Sequence, residues 1–372
     1  MPSDNLLMIA PSERDANMLY VSGMFAEDAL IYMRLNGRCH LVVSDAELGR
    51  ARKEAPHCRI LSATRIAQQL AGHGRKRVTL AHIAAAILRD RGLRKVSVPE
   101  GFPLGHAHQL REAGIKVKPV KGEFFPQREL KSADEVKKIS ASMAMAEVGM
   151  SEGAQALKNS KIARDGRLMW RGLPLTADRL RAVIDAAVVQ AGGVSARTKV
   201  AGGRQGSDPN FAGHGVLRAN QPILLHIRPR SQKTGFYADI TRTVVKGRAS
   251  DAVRKMHGAV EAAQEIGLGM VRHGEEGRAV HRAILDSLRQ AGFKTVRTEG
   301  FIHPAGHGIG LDLHEAPFLN GSSRDLLRAG QVVTVEPGLY YPDIGGVRMD
   351  DMALVTHGGA RNLTKSEKTL EL

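Results

Sequence analysis

The sequence predicts two domains: an α/β domain over residues 1–128 and a pseudo-duplicated α+β domain over residues 129–372. Three observations carry this. The chain has 372 residues, too many for one ordinary domain and enough for two real cores. Its first third alternates short strand-like and helix-like apolar runs, the pattern of a mixed α/β layer. Its remainder reads as two helices followed by strands, and then as the same order again.

The elements follow in order. Leu6–Ala10 is an apolar strand run. Leu30–Arg34 and Cys39–Val43 flank Asn36-Gly37, a strong hairpin signal. Leu80–Leu88 is an apolar helical run, and Lys95–Val98 and Ile115–Val120 read as strands. No phosphate loop or glycine fingerprint occurs here, so nothing local points to catalysis. The boundary falls near Pro126–Lys131. Ser132-Ala133-Asp134-Glu135 then spells a capping box, with Val136, Ile139, Met143 and Ala146 continuing at helical spacing. Thr176 starts a second helix with Leu180, Val183, Ile184 and Ala187 on one face. Ile223–Ile227 and Gly235–Val245 read as strands. Helices over 251–270 and 277–291 come next, then strands near Phe301, at Val332–Val335 and at Val347–Val355.

Composition bounds the function. Hydrophobic content of 42% and charged content of 25% are those of a globular protein, which excludes a disordered chain. Aromatics at 4% leave few stacking platforms for single-stranded nucleic acid. The net charge of +16 permits an acidic partner, but the excess is spread along the chain and its densest run is Arg75-Lys76-Arg77. Weak, non-specific nucleic-acid binding is the most it implies. Cys39 and Cys58 do not make a disulfide framework and suit a reducing cytoplasm, with a single bridge left open. No stretch approaches the roughly 20 apolar residues of a membrane span. The expectation is a cytoplasmic protein without a membrane partner.

Asp239, His307, His314, Glu336 and Asp350 are polar residues set oddly among apolar strands. Each has a plain explanation. Asp239 can pair with Arg242 or Arg348, Glu336 can be a turn carboxylate, His307 a loop histidine, and Asp350-Asp351 a strand end. Together these readings require several coincidences. Carboxylates inside apolar strands are costly unless paired or bound to a cation, and this donor mixture suits Mn, Zn, Fe or Co.

The stretch from Lys131 onward resembles the catalytic domain of the creatinase/prolidase/aminopeptidase P family, the pita-bread fold. The resemblance rests on Asp239-Ile240-Thr241-Arg242-Thr243, on His303 and Gly306-His307-Gly308-Ile309-Gly310-Leu311-Asp312-Leu313-His314-Glu315, on Val335-Glu336-Pro337-Gly338-Leu339-Tyr340, and on Gly346-Val347-Arg348. Residues 1–128 resemble the family's creatinase-like N-terminal domain only loosely. The resemblance implies a metallopeptidase acting on Xaa-Pro bonds of short peptides, as a homodimer. It implies two divalent ions about 3.5–4 Å apart, manganese foremost, sharing a hydroxide that attacks the peptide carbonyl. Asp239 would bridge them, His307 and Glu336 would hold one, and His314 would contact the substrate carbonyl or leaving amine. His303 would line the pocket, and Arg348 would orient ligand carboxylates.

The sequence departs from that pattern at the site itself. His226-Ile227-Arg228-Pro229-Arg230 puts His226 where the family has its first ligand Asp. Asp350 stands where the last ligand is normally Glu, one methylene shorter. Asp208-Pro209 is followed by Asn210 in place of a histidine, and Pro304 replaces a usual Gly. Asn210 cannot move protons near neutral pH; His214, four residues on, is a conceivable substitute. Losing one carboxylate should weaken the hold on the second ion, so one or two ions per chain are expected. The alternative is a family member without catalysis that binds peptide, protein or nucleic acid.

Overall fold

The structure, a computed structural model, describes residues 5–72 and 77–372. Arg75 and Lys76 of the densest basic run lie outside the described residues. The chain divides into two compact units, Met1–Arg128 and Glu129–Leu372.

The first unit is built on a six-stranded sheet. Its spatial order is Arg59–Ser62, Arg38–Val43, Ala29–Leu35, Leu6–Pro11, Lys95–Val98, Lys116–Pro119. The three central strands pair antiparallel and the outer ones parallel. Alternation along Leu6–Pro11 sends Leu7 and Ile9 into one core and Leu6 and Met8 into another, so both faces are covered. The hairpin turns where Asn36 (φ 48°) and Gly37 (φ 79°) take left-handed conformations, which the two-residue turn requires. Helix Leu80–Asp90 forms under its apolar run. Helices Ala16–Ser22, Leu48–Glu54, Ala63–Gly72 and Leu104–Glu112 escape the sequence reading. The first two are only two turns long and carry little periodic signal, whereas Ala63, Ile66, Ala67 and Leu70 do recur at helical spacing and pack against the core, a signal the sequence reading passed over.

The second unit opens with the capping box. Ser132 Oγ accepts from the Glu135 amide at 3.2 Å, and Glu135 Oε2 accepts from the Ser132 amide at 2.8 Å. Helix Ala133–Lys158 then packs on helix Ala177–Gln190, and helix Asp251–Met270 packs on Gly277–Gln290. Both pairs use one device. A Cβ on Gly153 would meet Ile184 Cγ1 at 2.9 Å, and one on Gly267 would meet Ile284 Cδ1 at 2.7 Å. Glycine lets each long helix approach a buried isoleucine of its partner. The pseudo-duplication is therefore visible in packing as well as in element order.

Two antiparallel sheets follow these helices. One has three strands, Lys199–Gly202, Ile223–Ile227 and Ile240–Val244. The other has five, in the order Glu315–Leu319, Gly306–Gly308, Val332–Val335, Asp351–Val355, Ala360–Asn362. Three expectations are corrected here. The strand expected over Gly235–Val245 starts only at Ile240, because the residues before it fold back on Pro229–Ser231: Tyr237 bridges Arg230, the Ser231 amide donates to Phe236 O and the Ala238 amide to Pro229 O. No strand runs through Phe301; only Gly300 bridges to Tyr340, and the strand lies at Gly306–Gly308. Val347–Val355 is two strands, Gly345–Arg348 and Asp351–Val355, broken where Asp350 turns to pair with Thr241. Among the described residues, no helix is long and apolar enough to cross a membrane.

Both cysteines are free. Burial, together with the charge of Cys39 and a hydrogen bond to it, pushes the Cys58 thiol up to about 12. The thiolate is the reactive form, so at pH 8 only about one Cys58 in 10⁴ is nucleophilic. Iodoacetamide at pH 8 should therefore leave Cys58 unmodified in the folded protein and label it in urea, as read by peptide mass spectrometry.

Candidate metal centre

The break before Asp351 and the start of Ile240–Val244 bring the two sheets together. The Asp350 amide donates to Thr241 O at 3.1 Å and the Thr241 amide to Asp350 O at 3.4 Å. Arg242 locks this seam from behind. Its Nη2 lies 2.7 Å from Asp351 Oδ1, and its Nη1 donates to the carbonyls of Thr241 at 2.8 Å and Asp350 at 3.0 Å. Arg242 and Asp351 are both buried, so this ion pair is structural. Asp239 therefore does not take Arg242 as its partner.

Five residues singled out by sequence converge at the seam. Asp239 directly precedes Ile240–Val244, and His226 lies on the neighbouring strand Ile223–Ile227. His307 is central in Gly306–Gly308, Glu336 follows Val332–Val335, and Asp350 occupies the strand break. All five are buried. Their donor atoms form two groups, each with members within 4.8 Å of one another: His226, Asp239 and Asp350, and Asp239, His307 and Glu336. Asp239 belongs to both.

The second group suits a divalent ion. The His307 Nδ1 lies 3.0 Å from Gly308 O, which fixes the proton there and leaves Nε2, 3.8 Å from Glu336 Oε2, with a free lone pair. One imidazole and two carboxylates are a common transition-metal donor set. Burial raises the Glu336 carboxyl, but Arg348 and His307 outweigh that and hold it below its ordinary value. Arg348 Nη2 contacts Glu336 Oε2 and lies 3.3 Å from Asp350 Oδ2.

The first group is different. His226 Nε2 and Asp239 Oδ1 are 2.7 Å apart, and both residues are buried. Burial pushes the His226 imidazolium down to about 4 despite the pull of Asp239. The ring is neutral at neutral pH and spends its Nε2–H on Asp239, while Nδ1 has no partner. Burial raises the Asp239 carboxyl, but His226 and Arg348 bring it below the usual range. Burial, then Asp239 and Glu336, push the Asp350 carboxyl well above its ordinary value, with Arg348 pulling the other way. The hydrogen bond between His226 and Asp239 uses the atoms a metal would need, so this group fits an ion poorly.

The remaining predicted residues surround the cluster. His314 is exposed, with its ring perpendicular to that of His307 at 4.3 Å between centroids. His303 Nε2 lies 3.0 Å from Tyr340 Oη and its Nδ1 lies 2.7 Å from Pro304 O. Desolvation drives the His303 imidazolium to about 4, so its Nδ1–H donates and Nε2 accepts. Asn210 and His214 sit in an exposed loop and belong to neither donor group. The Asn210 amide donates to Asp208 Oδ1 at 2.8 Å, and the His214 ring meets Phe211 edge-on.

Sequence reasoning missed Lys199 and Arg228. Lys199 lies opposite His226 on the paired strand and donates to Pro209 O at 2.6 Å. Burial and the nearby Arg228 lower it to about 8. Arg228 Nε is buried without a partner. The signal available was the two-residue alternation along 226–230; Lys199 had none, because its strand was not recognised.

The fold is that of two-domain pita-bread peptidases. It matches an X-Pro aminopeptidase from Thermotoga maritima with a TM-score of 0.83 at 22% identity, over 99% of this chain and 97% of that one. Residues 137–357 match the model of metallopeptidase family M24, and the chain belongs to that family. An uncharacterized peptidase, YqhT, of Bacillus subtilis is 38% identical over 136 residues, 37% of each chain. A Xaa-Pro dipeptidase of Pyrococcus horikoshii is 27% identical over 284 residues, 75% of each chain. The match to YqhT thus spans little more than a third of that relative's length, while the match to the dipeptidase spans three quarters.

Arg242→Leu should strand the buried Asp351 and loosen the seam. At roughly 3–5 kcal/mol for a broken buried pair and about 2–4 °C per kcal/mol, the melting temperature should fall by at least about 6 °C in a calorimetric scan.

Proposed function

We propose that this chain is a metal-dependent peptidase for Xaa-Pro bonds of short peptides, holding one divalent ion tightly and turning over slowly. The observation that supports this is the buried Asp239–His307–Glu336 donor set beneath the exposed His314. Membership of the M24 family and the names of the dipeptidase and aminopeptidase relatives point the same way.

Asp239, His307 and Glu336 would hold the ion, manganese foremost, with zinc, cobalt and iron as alternatives. When bound, it supplies Lewis-acid polarisation of the scissile carbonyl. The chain's own residues do the rest. Arg348 neutralises and orients Glu336 and Asp350. His314 offers an imidazole to the substrate carbonyl or the leaving amine. His303, fixed by Tyr340 and Pro304, lines the pocket. Asn210, where the family has histidine, cannot transfer a proton near neutral pH.

Charge balance supports a single ion. Asp239, Glu336 and Asp350 against Arg348 leave two formal negative charges when all are ionised, and one divalent cation offsets them. A second would bring two uncompensated positive charges into a buried site. Elemental analysis after dialysis should therefore find one tightly held ion per chain, and His226→Asp should raise this to two. Two ions in the unaltered protein would refute the charge argument.

Losing a positioned proton-transfer group costs roughly 10²–10⁴ in rate. Cleavage of Xaa-Pro dipeptides and tripeptides with added manganese should be slow. The combined change His226→Asp, Asn210→His, Asp350→Glu should raise kcat/KM at least about tenfold, a conservative fraction of that term. Fast cleavage by the natural chain, slowed by the triple change, would make these positions adaptations. If both forms fold and bind metal yet neither cleaves, the binding-protein reading replaces this one.

A further inference from the structure

The first unit, which no catalytic motif marks, gathers unneutralised positive charge at one edge of its sheet. Arg38 and His40 lie two residues apart on Arg38–Val43, so their side chains share a face. Arg59 opens the neighbouring parallel strand directly opposite His40. Arg91 caps the C-terminus of helix Leu80–Asp90, with Nη1 3.0 Å from Ile87 O. With Leu35 and Asn36 of the hairpin, these residues line a cavity of about 460 Å³. No carboxylate lines it, and none of the three guanidiniums forms an ion pair among the described residues.

His40 lies at the focus of this cluster and is only 4% exposed. Its Nδ1 lies 3.0 Å from Arg38 O, and its Nε2 has no hydrogen-bond partner among the described residues. Burial foremost, then Arg91, Arg59 and Arg38, push its imidazolium below the ordinary value, against the pull of the Arg38 carbonyl. Arg91 has a structural task as a helix cap, where a cation suits the dipole. Arg38 and Arg59 are exposed, and among the described residues their side chains form no hydrogen bond, ion pair or ring contact.

We propose that this cavity binds a small phosphate monoester. The dianionic phosphate would lie against Arg38, Arg59 and Arg91, whose planar forks match its oxygens, and the organic body would occupy the remaining space. The volume falls within the roughly 300–1,000 Å³ of small-ligand sites, well beyond what a bare phosphate fills. Three cations without an anion favour a dianion over a single carboxylate.

The test is isothermal titration of the full chain at pH 7 and fixed ionic strength. The probes are AMP, glycerol 3-phosphate, inorganic phosphate and adenosine. At least one monoester should bind saturably, more tightly than inorganic phosphate, while adenosine shows no binding. The double variant Arg38→Gln, Arg59→Gln should weaken the monoester at least about tenfold, the loss expected from charge-assisted hydrogen bonds. Both side chains are exposed, so its thermal unfolding and manganese binding should match the natural chain. Absence of saturable binding by either monoester, equal affinity in the variant, or inorganic phosphate binding as tightly as the monoesters would each overturn the proposal. None of these outcomes depends on the peptidase reading.

Discussion

The short antiparallel bridge between Thr241 and Asp350 is the constraint on which the second unit depends. It is where a three-stranded and a five-stranded sheet meet, and every clustered donor lies at it or beside it. Its backbone hydrogen bonds alone are modest; a typical one contributes about 1 kcal/mol net. The clamp of Arg242 on Asp351 and on the adjacent carbonyls turns it into a fixed joint. Thr243 Oγ1 adds to this, accepting from the Arg348 amide at 3.0 Å. A buried carboxylate such as Asp239 can be tolerated only if its neighbours cannot move away, and this joint holds them.

Much of the architecture was legible because the elements that matter are long and strongly patterned. The capping box at Ser132 and Glu135, the Thr176 cap and the helix Asp251–Met270 formed where the residues placed them. The donors Asp239, His307 and Glu336 were visible as carboxylates and an imidazole in apolar runs. What stayed hidden has physical reasons. The strands around Phe301 and Val347–Val355 were misjudged because apolar content says nothing of where a backbone leaves one sheet for another. Asp350 causes that break through its bridge to Thr241, which lies 109 residues earlier and cannot be seen from local pattern. Lys199 became relevant only through its register with His226.

The buried cluster also shows how one substitution changes several neighbours. A carboxylate at position 226 would repel Asp239, and only cations could relieve that repulsion. The imidazole instead donates to Asp239, and burial beside Asp239 and Glu336 pushes the Asp350 carboxyl well above its ordinary value. Negative charge is then concentrated on Asp239 and Glu336, beside His307 and Arg348. The donor set is polarised toward one side of the cluster, and the exposed His314 stands on that side against His307.

A site whose carboxylates are already partly paired by His226 and Arg348 has a consequence for the life of the protein in a cell. Many metal centres make the fold hostage to supply, because the empty site is a knot of mutual repulsion and the ion is part of the folding free energy. Here the hydrogen bond from His226 to Asp239 and the contacts of Arg348 with Glu336 and Asp350 offset part of that repulsion. A newly made chain should then depend on metal for its native state less than one whose site is all carboxylates, and starvation for metal should silence it before it sends it to the proteases.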